Sequence, residues 1–521
     1  MTEGSQTASR VVAVLDMGAT AIRLVIAEIA ADRRVHILEQ ASRGVLLGRD
    51  AFSGGGVIKP RTADSAFAAL DGFRHIMDGY GVTEVRAVAT SAVREARNGD
   101  LFLDRVRART GIQFEIINEA EETRLLYLAV RDSLKRHPAM KGAWTLIAEV
   151  GGGSTALTLL RHGEPVRSGV FALGAVRFRQ RLELRRLNHD VQIALLKRVI
   201  ANVIDEIRVE IPLHKVTQVI AVGGDIRLAA SHIHAQEGDS QAREIPREAL
   251  LAFAADIENL DDDSLATRFR LPGVEADTLA PSMLIYSTLV SDTAARRVIV
   301  SDASLRTGML MDLAEPEAQV AARDFEHQVL ASAEALGSRF RFDRAHGRHV
   351  AHLATRLFDL MQDEHKLGSR ERLLLQTAAL LHDVGIHVGL RSHHKHSQYL
   401  LSASQIFGLS GDETAVVANV ARYHRGNLPQ RSHLPYMELD QTERMLVNKL
   451  SALLRLANAL DAEHLQKVRD VRLLTDDHPW VLELRGSGDV TMEQLAGTAR
   501  ADLFVEVFGR EVVIRAAGVV G

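Results

Sequence analysis

Val12-Ala13-Val14-Leu15-Asp16-Met17-Gly18-Ala19-Thr20-Ala21-Ile22-Arg23-Leu24-Val25-Ile26-Ala27-Glu28 reads as strand, acid, glycine turn and second strand. The chain then repeats itself. Thr145-Leu146-Ile147-Ala148-Glu149-Val150-Gly151-Gly152-Gly153-Ser154-Thr155-Ala156-Leu157-Thr158-Leu159-Leu160 has the same order of parts. Asp16 and Glu149 hold one place in the two copies, and Gly18 and Gly151 another. A phrase used twice implies two related half-domains facing each other across a cleft. Backbone N–H groups in glycine turns cradle phosphate oxygens. Carboxylates at the ends of the strands can hold Mg2+. A duplicated structural domain with no ligand is the plainer reading. It leaves acids at both strand ends, where burial is costly unless they are paired or bound to metal. A third strand-to-glycine turn, Val219-Ile220-Ala221-Val222-Gly223-Gly224, adds to the phosphate reading.

Working outward, the first unit is expected over 1–130 and the second over 131–312. In the first, Phe67, Leu70, Phe73 and Met77 recur at helical spacing. Val85 to Thr90 and Phe114 to Ile117 read as strands, and a helix carrying Glu119, Glu121, Glu122 and Arg124 follows. The second unit has a long helical stretch from Asp190 to Val209 and a strand over Arg297 to Ser301. Strands alternating with helices argue for an α/β fold in both halves. From 313 to 468 nearly everything reads as helix, and histidines gather there. The tail, 469–521, returns to strand patterns, including Leu503 to Phe508, and reads as a small β-rich appendage.

At 521 residues the chain has room for three or four domains. Its 63 basic and 67 acidic residues nearly cancel, so a polyanion site must be a local patch. Neither nucleic acid nor a membrane is expected as a partner. The absence of cysteine excludes disulfides, thiolate metal sites and thiol nucleophiles. A polar N-terminus and the lack of a long apolar run fit a cytoplasmic protein.

Five ordered blocks carry a family resemblance. They are Leu15-Asp16-Met17-Gly18, Ala89 to Asn98, Glu121-Glu122-Thr123-Arg124-Leu125-Leu126, Gly151 to Thr155, and Ser301 to Arg306. With them the chain resembles the exopolyphosphatase/guanosine pentaphosphate phosphatase (Ppx/GppA) family of the actin-like phosphotransferase superfamily. The resemblance implies two actin-like halves and Mg2+-dependent release (Mn2+ as a substitute) of the terminal phosphate from polyphosphate or guanosine pentaphosphate. A homodimer would be in keeping with the family. By position it makes Glu121 the catalytic glutamate, and a carboxylate can orient and deprotonate a water. A solvated helix face is the alternative for Glu121, because Glu119 and Glu122 flank it. Arg94 would bind phosphate, as would Gly151, Gly152, Gly153, Ser154, Thr155, Gly223 and Gly224. Asp16 and Glu149 would hold Mg2+.

The chain departs from the family pattern inside its own blocks. Ala19-Thr20-Ala21 replaces a polar triplet, Glu149 replaces an aspartate, and Ala156 replaces a glutamate. Asp225 follows the Gly223-Gly224 turn, and Thr307 stands in the last block. These changes keep open a weakened binder or sensor of polyphosphate or alarmone. An actin-like sugar kinase or ATPase shares the hairpins and is disfavoured by the Glu121 and Arg94 blocks.

Leu380-Leu381-His382-Asp383 closes an apolar helix, with His346 upstream. This stretch resembles an HD-type metal phosphohydrolase module, which makes His346, His382 and Asp383 a candidate second metal site. The late aspartate of that pattern reads Asn458, a weaker ligand. A helix cap is the plain reading of the His-Asp pair. Arg391, His394, Lys395 and His396 are candidates for a basic channel gripping a long polyanion, with a solvated loop as the alternative.

Overall fold

The computed structural model describes residues 9–135, 137–181, 188–233, 242–314, 318–404, 406–475 and 479–516. The chain divides into two compact units, Met1–Arg323 and Asp324–Gly521.

The first unit contains both copies of the repeat. β1 (Arg10–Met17) and β2 (Ala21–Ile29) form an antiparallel hairpin, extended by β3 (Val35–Gly44). On the other side β1 pairs in parallel with β4 (Glu84–Ala89), and β4 with β5 (Phe114–Ile116). The order is β3-β2-β1-β4-β5. The second sheet repeats this plan with β6 (Thr145–Val150), β7 (Thr155–Arg161), β8 (Glu164–Phe171), β9 (Gln218–Val222), β10 (Ala242–Pro246) and β11 (Arg297–Ser301). Its order is β10-β11-β9-β6-β7-β8. Read from β8 inward, it matches the first sheet strand for strand, and β10 is an antiparallel addition at the edge. The register matches too: Asp16 lies opposite Arg23, and Glu149 opposite Ala156.

Both central strands, β1 and β6, are apolar along nearly their whole length and buried on both faces, as a strand covered by helices must be. Leu15, Met17, Phe67, Leu70 and Phe73 belong to the core of the first half. Leu146, Ala148, Ile200, Ile204 and Ile285 belong to that of the second. The carboxyl ends of β1, β6 and β9, with their glycine turns, therefore come out at one place, where ligands bind in open α/β sheets.

The second unit is mainly helical, with one three-stranded sheet of β12 (Val468–Leu474), β13 (Trp480–Gly486) and β14 (Val512–Ala516). The tail is no separate appendage in its packing: Val468, Trp480, Leu482 and Ile514 share one core with Leu450, Leu453 and Leu454 of the helix Gln441–Ala459. Leu503 to Phe508, expected as a strand, is helix Asp502–Phe508. Its alternating apolar residues fit a strand locally. Tertiary contacts override that preference: Leu503 and Phe504 are buried, Arg455 holds Asp502 at the first turn, and Gly509 ends the helix at φ 64°.

Candidate functional site

The hairpin turns of the first unit face each other across a cavity of about 580 Å³. Each turn is closed by the same bond. Gly18 N–H donates to Ala21 O at 3.1 Å, and Gly151 N–H to Ser154 O at 2.8 Å. The approach is close enough that side chains are excluded. A Cβ on Gly153 would lie 2.4 Å from Ser91 Oγ and 2.6 Å from Phe52 Cζ. Gly223, at φ 140°, turns β9 into helix Gly224–His232.

Asp16, Glu149, Gly151, Gly152, Gly153, Ser154, Gly223 and Gly224 all line this cavity, as expected of them. Three expected site residues do not. Thr155 is fully buried and donates its hydroxyl to Leu173 O at 2.6 Å, because the residue after the turn already points into the sheet. Arg94 sits behind the wall, donating to Ile117 O at 2.7 Å and to Glu122 at 3.5 Å. Glu121 is turned away altogether. Its carboxylate receives Arg124 at 2.7 and 2.8 Å and Arg86 at 3.3 Å, in a network closed by Asp312.

Glu122 lines the cavity instead. Successive helical residues point about 100° apart, so in the helix Glu119–Ser133 one of the two glutamates joins the ion-pair network and its neighbour faces the cleft. Asn118 caps this helix, its side chain accepting the Glu121 N–H at 2.9 Å. Of the two adjacent glutamates, the structure places Glu122 and not Glu121 at the cavity wall.

The electrostatics of the cleft are set by crowded acids. Burial pushes the Glu122 carboxyl up to about 7, with Asp16 and Glu119 adding to the rise and Arg94 opposing it. Burial, then Glu122 and Asp16, push Glu149 up to about 8. Burial also raises Asp225, although Thr278 at 3.3 Å and Ser282 donate hydroxyls to it. Three arginines, Arg23, Arg227 and Arg306, reach the same cavity. Arg306 donates to Asp16 at 2.9 Å. Arg306 lies in the last family block, but no role for it, Arg23 or Arg227 follows from the sequence. One signal was available for Arg23, since it is the cross-strand partner of Asp16 in the hairpin register.

The pattern of the Ppx/GppA phosphatase family matches residues 25–317, more than half of the chain, and the pattern of its domain III matches 330–495. The chain belongs to the Ppx/GppA phosphatase family. Among its relatives is a guanosine-5'-triphosphate,3'-diphosphate pyrophosphatase of Vibrio parahaemolyticus, 23% identical over 457 residues, covering 83% of this chain and 85% of that one. Exopolyphosphatase 1 of Mycobacterium bovis is 27% identical over 343 residues, covering 63% of this chain and 94% of that one. The crystal structure of an exopolyphosphatase from Cytophaga hutchinsonii shares the fold with a TM-score of 0.53, at 21% identity, over 58% of this chain and 98% of that one.

In the part matched by domain III of the Ppx/GppA family, His346, His382 and Asp383 are brought together as expected. Asp383 Oδ2 lies 3.8 Å from His346 Nε2 and 3.5 Å from His382 Nε2. Asn458 Oδ1 lies 3.1 Å from His346 Nε2. Two residues missed at the sequence level, His393 and His424, stand on the other side of Asp383 at 3.1 and 3.4 Å. The fourth position of a helix turn separates neither pair, so only the fold could join them. Arg391 and Lys395 are exposed, and His394 and His396 half-buried. Burial, with His393 and nearby cations, pushes His394 down to about 4, so it brings no charge to a basic channel near neutral pH. Among the described residues no helix is long and apolar enough to cross a membrane.

Proposed function

We propose that this chain is a phosphoanhydride hydrolase that releases terminal orthophosphate from polyphosphate or guanosine pentaphosphate, with Glu122 as the general base. The placement of Glu122, a carboxyl raised to about 7 inside a cavity walled by glycine turns and arginines, carries the reading. A base works best when its pKa lies near the operating pH. The names of the relatives, a pyrophosphatase and an exopolyphosphatase, support the substrate class.

In this reading the N–H groups of Gly152 to Ser154 and of the Gly223–Gly224 turn receive the terminal phosphate oxygens, the Gly151 N–H being held by Ser154 O. Arg23, Arg227 and Arg306 neutralise the charge that spreads over them. Glu122 accepts a proton from water as its oxygen bonds to the terminal phosphorus, the anhydride P–O bond breaks, and the shortened chain leaves. Arg94 holds Glu122 in place from behind. Asp16 and Glu149 suit Mg2+: they are oxygen donors crowded with Glu122, and a cation relieves the like-charge repulsion that raises Glu149. When bound, Mg2+ would offset phosphate charge in the cleft.

A weakened binder is the second reading, favoured by Ala156, which lines the cavity opposite Glu149 where an acid is missing. Phosphate release from long-chain polyphosphate and from guanosine pentaphosphate decides between them. Calorimetric binding without release would overturn the hydrolase, and release lost in Glu122→Gln supports it.

A further inference from the structure

Part of the cavity wall plays no role in the hydrolysis. Helix Gly224–His232 contributes Leu228, three residues after Asp225. The run into helix Gly273–Ser291 contributes Leu271, Glu275 and Thr278. Leu228 and Leu271 pack on the core of the second half and still reach the cavity. Two carboxylates stand with them. Asp225 receives the hydroxyls of Thr278 at 3.3 Å and of Ser282, one on each oxygen. Glu275 is exposed, and among the described residues no cation pairs with its carboxylate. Burial raises the Asp225 carboxyl and the charge of Glu275 adds to the rise, so the two acids stand within each other's field.

The charge of this wall decides what can lie along it. Among the described residues the cavity is lined by three arginines and no lysine. Two of them are shared with Asp16, Arg306 at 2.9 Å and Arg23 at 3.9 Å. A linear polyphosphate carries a negative charge on every unit behind the terminal one. Laid past Asp225 towards Glu275, such a tail meets acids instead of cations, and like charges brought together reject a ligand. A neutral ring meets the opposite conditions. Its faces can lie on Leu228 and Leu271, and a free carboxylate accepts its N–H donors. Guanine offers two such donors side by side, N1–H and the exocyclic amine, which match the two oxygens of a carboxylate. At about 580 Å³ the cavity has room for more than a phosphate chain end.

Resting on the hydrolase reading, we propose that Glu275 determines the specificity of the cleft: it turns away linear polyphosphate and selects a nucleoside polyphosphate, with guanine as the preferred base. The 5′ arm of that substrate brings its terminal phosphate to the glycine turns while the base lies on Leu228 and Leu271. Asp225 adds to the rejection without reading the base, since each of its oxygens already receives a hydroxyl. The bonds made and broken are unchanged. Water oxygen bonds to the terminal phosphorus, its proton goes to Glu122, and the anhydride P–O bond breaks. The leaving group is a nucleoside phosphate shortened by one unit.

The test measures orthophosphate release and calorimetric affinity side by side on the full-length protein. The ligands are long-chain polyphosphate and guanosine pentaphosphate, and the proteins are the parent, Glu275→Gln and Glu275→Lys. The parent is expected to favour guanosine pentaphosphate in kcat/KM. Glu275→Gln is expected to bind polyphosphate about tenfold more tightly than the parent and guanosine pentaphosphate more weakly. Glu275→Lys is expected to bind polyphosphate more tightly still. The polyphosphate gain should shrink between about 0.1 M and about 1 M salt, because salt screens charge repulsion. Unchanged polyphosphate affinity in both variants, an equal gain for both ligands in Glu275→Gln, or a gain indifferent to salt overturns the proposal. So does a parent that prefers polyphosphate. If the parent releases phosphate from neither substrate, the hydrolase reading falls, and the affinities alone decide the role of Glu275.

Discussion

Arg177 of the second half donates Nη1 to the Glu95 carboxylate of the first at 2.7 Å. The same side chain gives Nε to Gly153 O at 2.5 Å and lies over the Phe52 ring at 4.2 Å. It is 3% exposed. One guanidinium thus fixes the back of the glycine turn, which lines the cavity on its other side. Lysine cannot reproduce this fork. Arg177→Lys is expected to lower kcat/KM for phosphate release by up to about a hundredfold through misplaced donors. Steady-state kinetics check it, and an unchanged kcat/KM would refute the positioning role.

The adjacent glutamates give opposite outcomes. Glu122→Gln is expected to lower kcat by about a hundredfold to ten-thousandfold, the usual range for losing a general base. Glu121→Gln is expected to retain activity and to lose about 1 kcal/mol of stability, because its Arg86 and Arg124 partners stay beside Asp312. Initial rates and urea melts of the two variants separate these roles.

The raised carboxyls of Glu122 and Glu149 make stability fall with rising pH. In the folded chain they keep protons that the unfolded chain has already lost above the ordinary carboxylate range. Their contribution is complete below that range and is lost as pH climbs through about 7 and about 8. Metal-free protein is expected to melt at a lower temperature at about pH 8.5 than at about pH 5.5 on this account. Glu122→Gln/Glu149→Gln should flatten the difference, and differential scanning calorimetry reads it.

Mg2+ is expected to act on the same groups. Added to metal-free protein at about pH 8, it should raise the melting temperature of the parent and not that of Asp16→Asn/Glu149→Gln, since a ligand bound only to the folded state stabilises it. An equal rise in both would place the ion elsewhere.

Gly153→Ala tests the closeness of the turns. Its Cβ would meet Ser91 Oγ and Phe52 Cζ well inside contact distance. The substitution is expected to cost about 1–3 kcal/mol of stability and to raise KM for polyphosphate. Denaturant melts and kinetics check both.

The doubled hairpin was readable because strand, acid and glycine turn are local features, and local features carry both registers. Glu122 was not, because Glu121 and Glu122 lie in one acidic run and only the phase of the helix tells them apart. Arg23, Arg227 and Arg306 come from three distant segments, as do His393 and His424 from two, and their meeting is a property of the fold. Leu503 to Phe508 failed for the opposite reason: a strand-like local pattern yielded to Arg455 and Gly509.

Tyr286 sits where β6 and β9 part. Its hydroxyl accepts the Val150 N–H at 3.0 Å and donates to Val222 O at 2.5 Å. These atoms immediately precede the Gly151 and Gly223 turns. A single rivet therefore joins the roots of both glycine turns to the helix Gly273–Ser291. One hydroxyl thus ties the position of either glycine turn to that of the other.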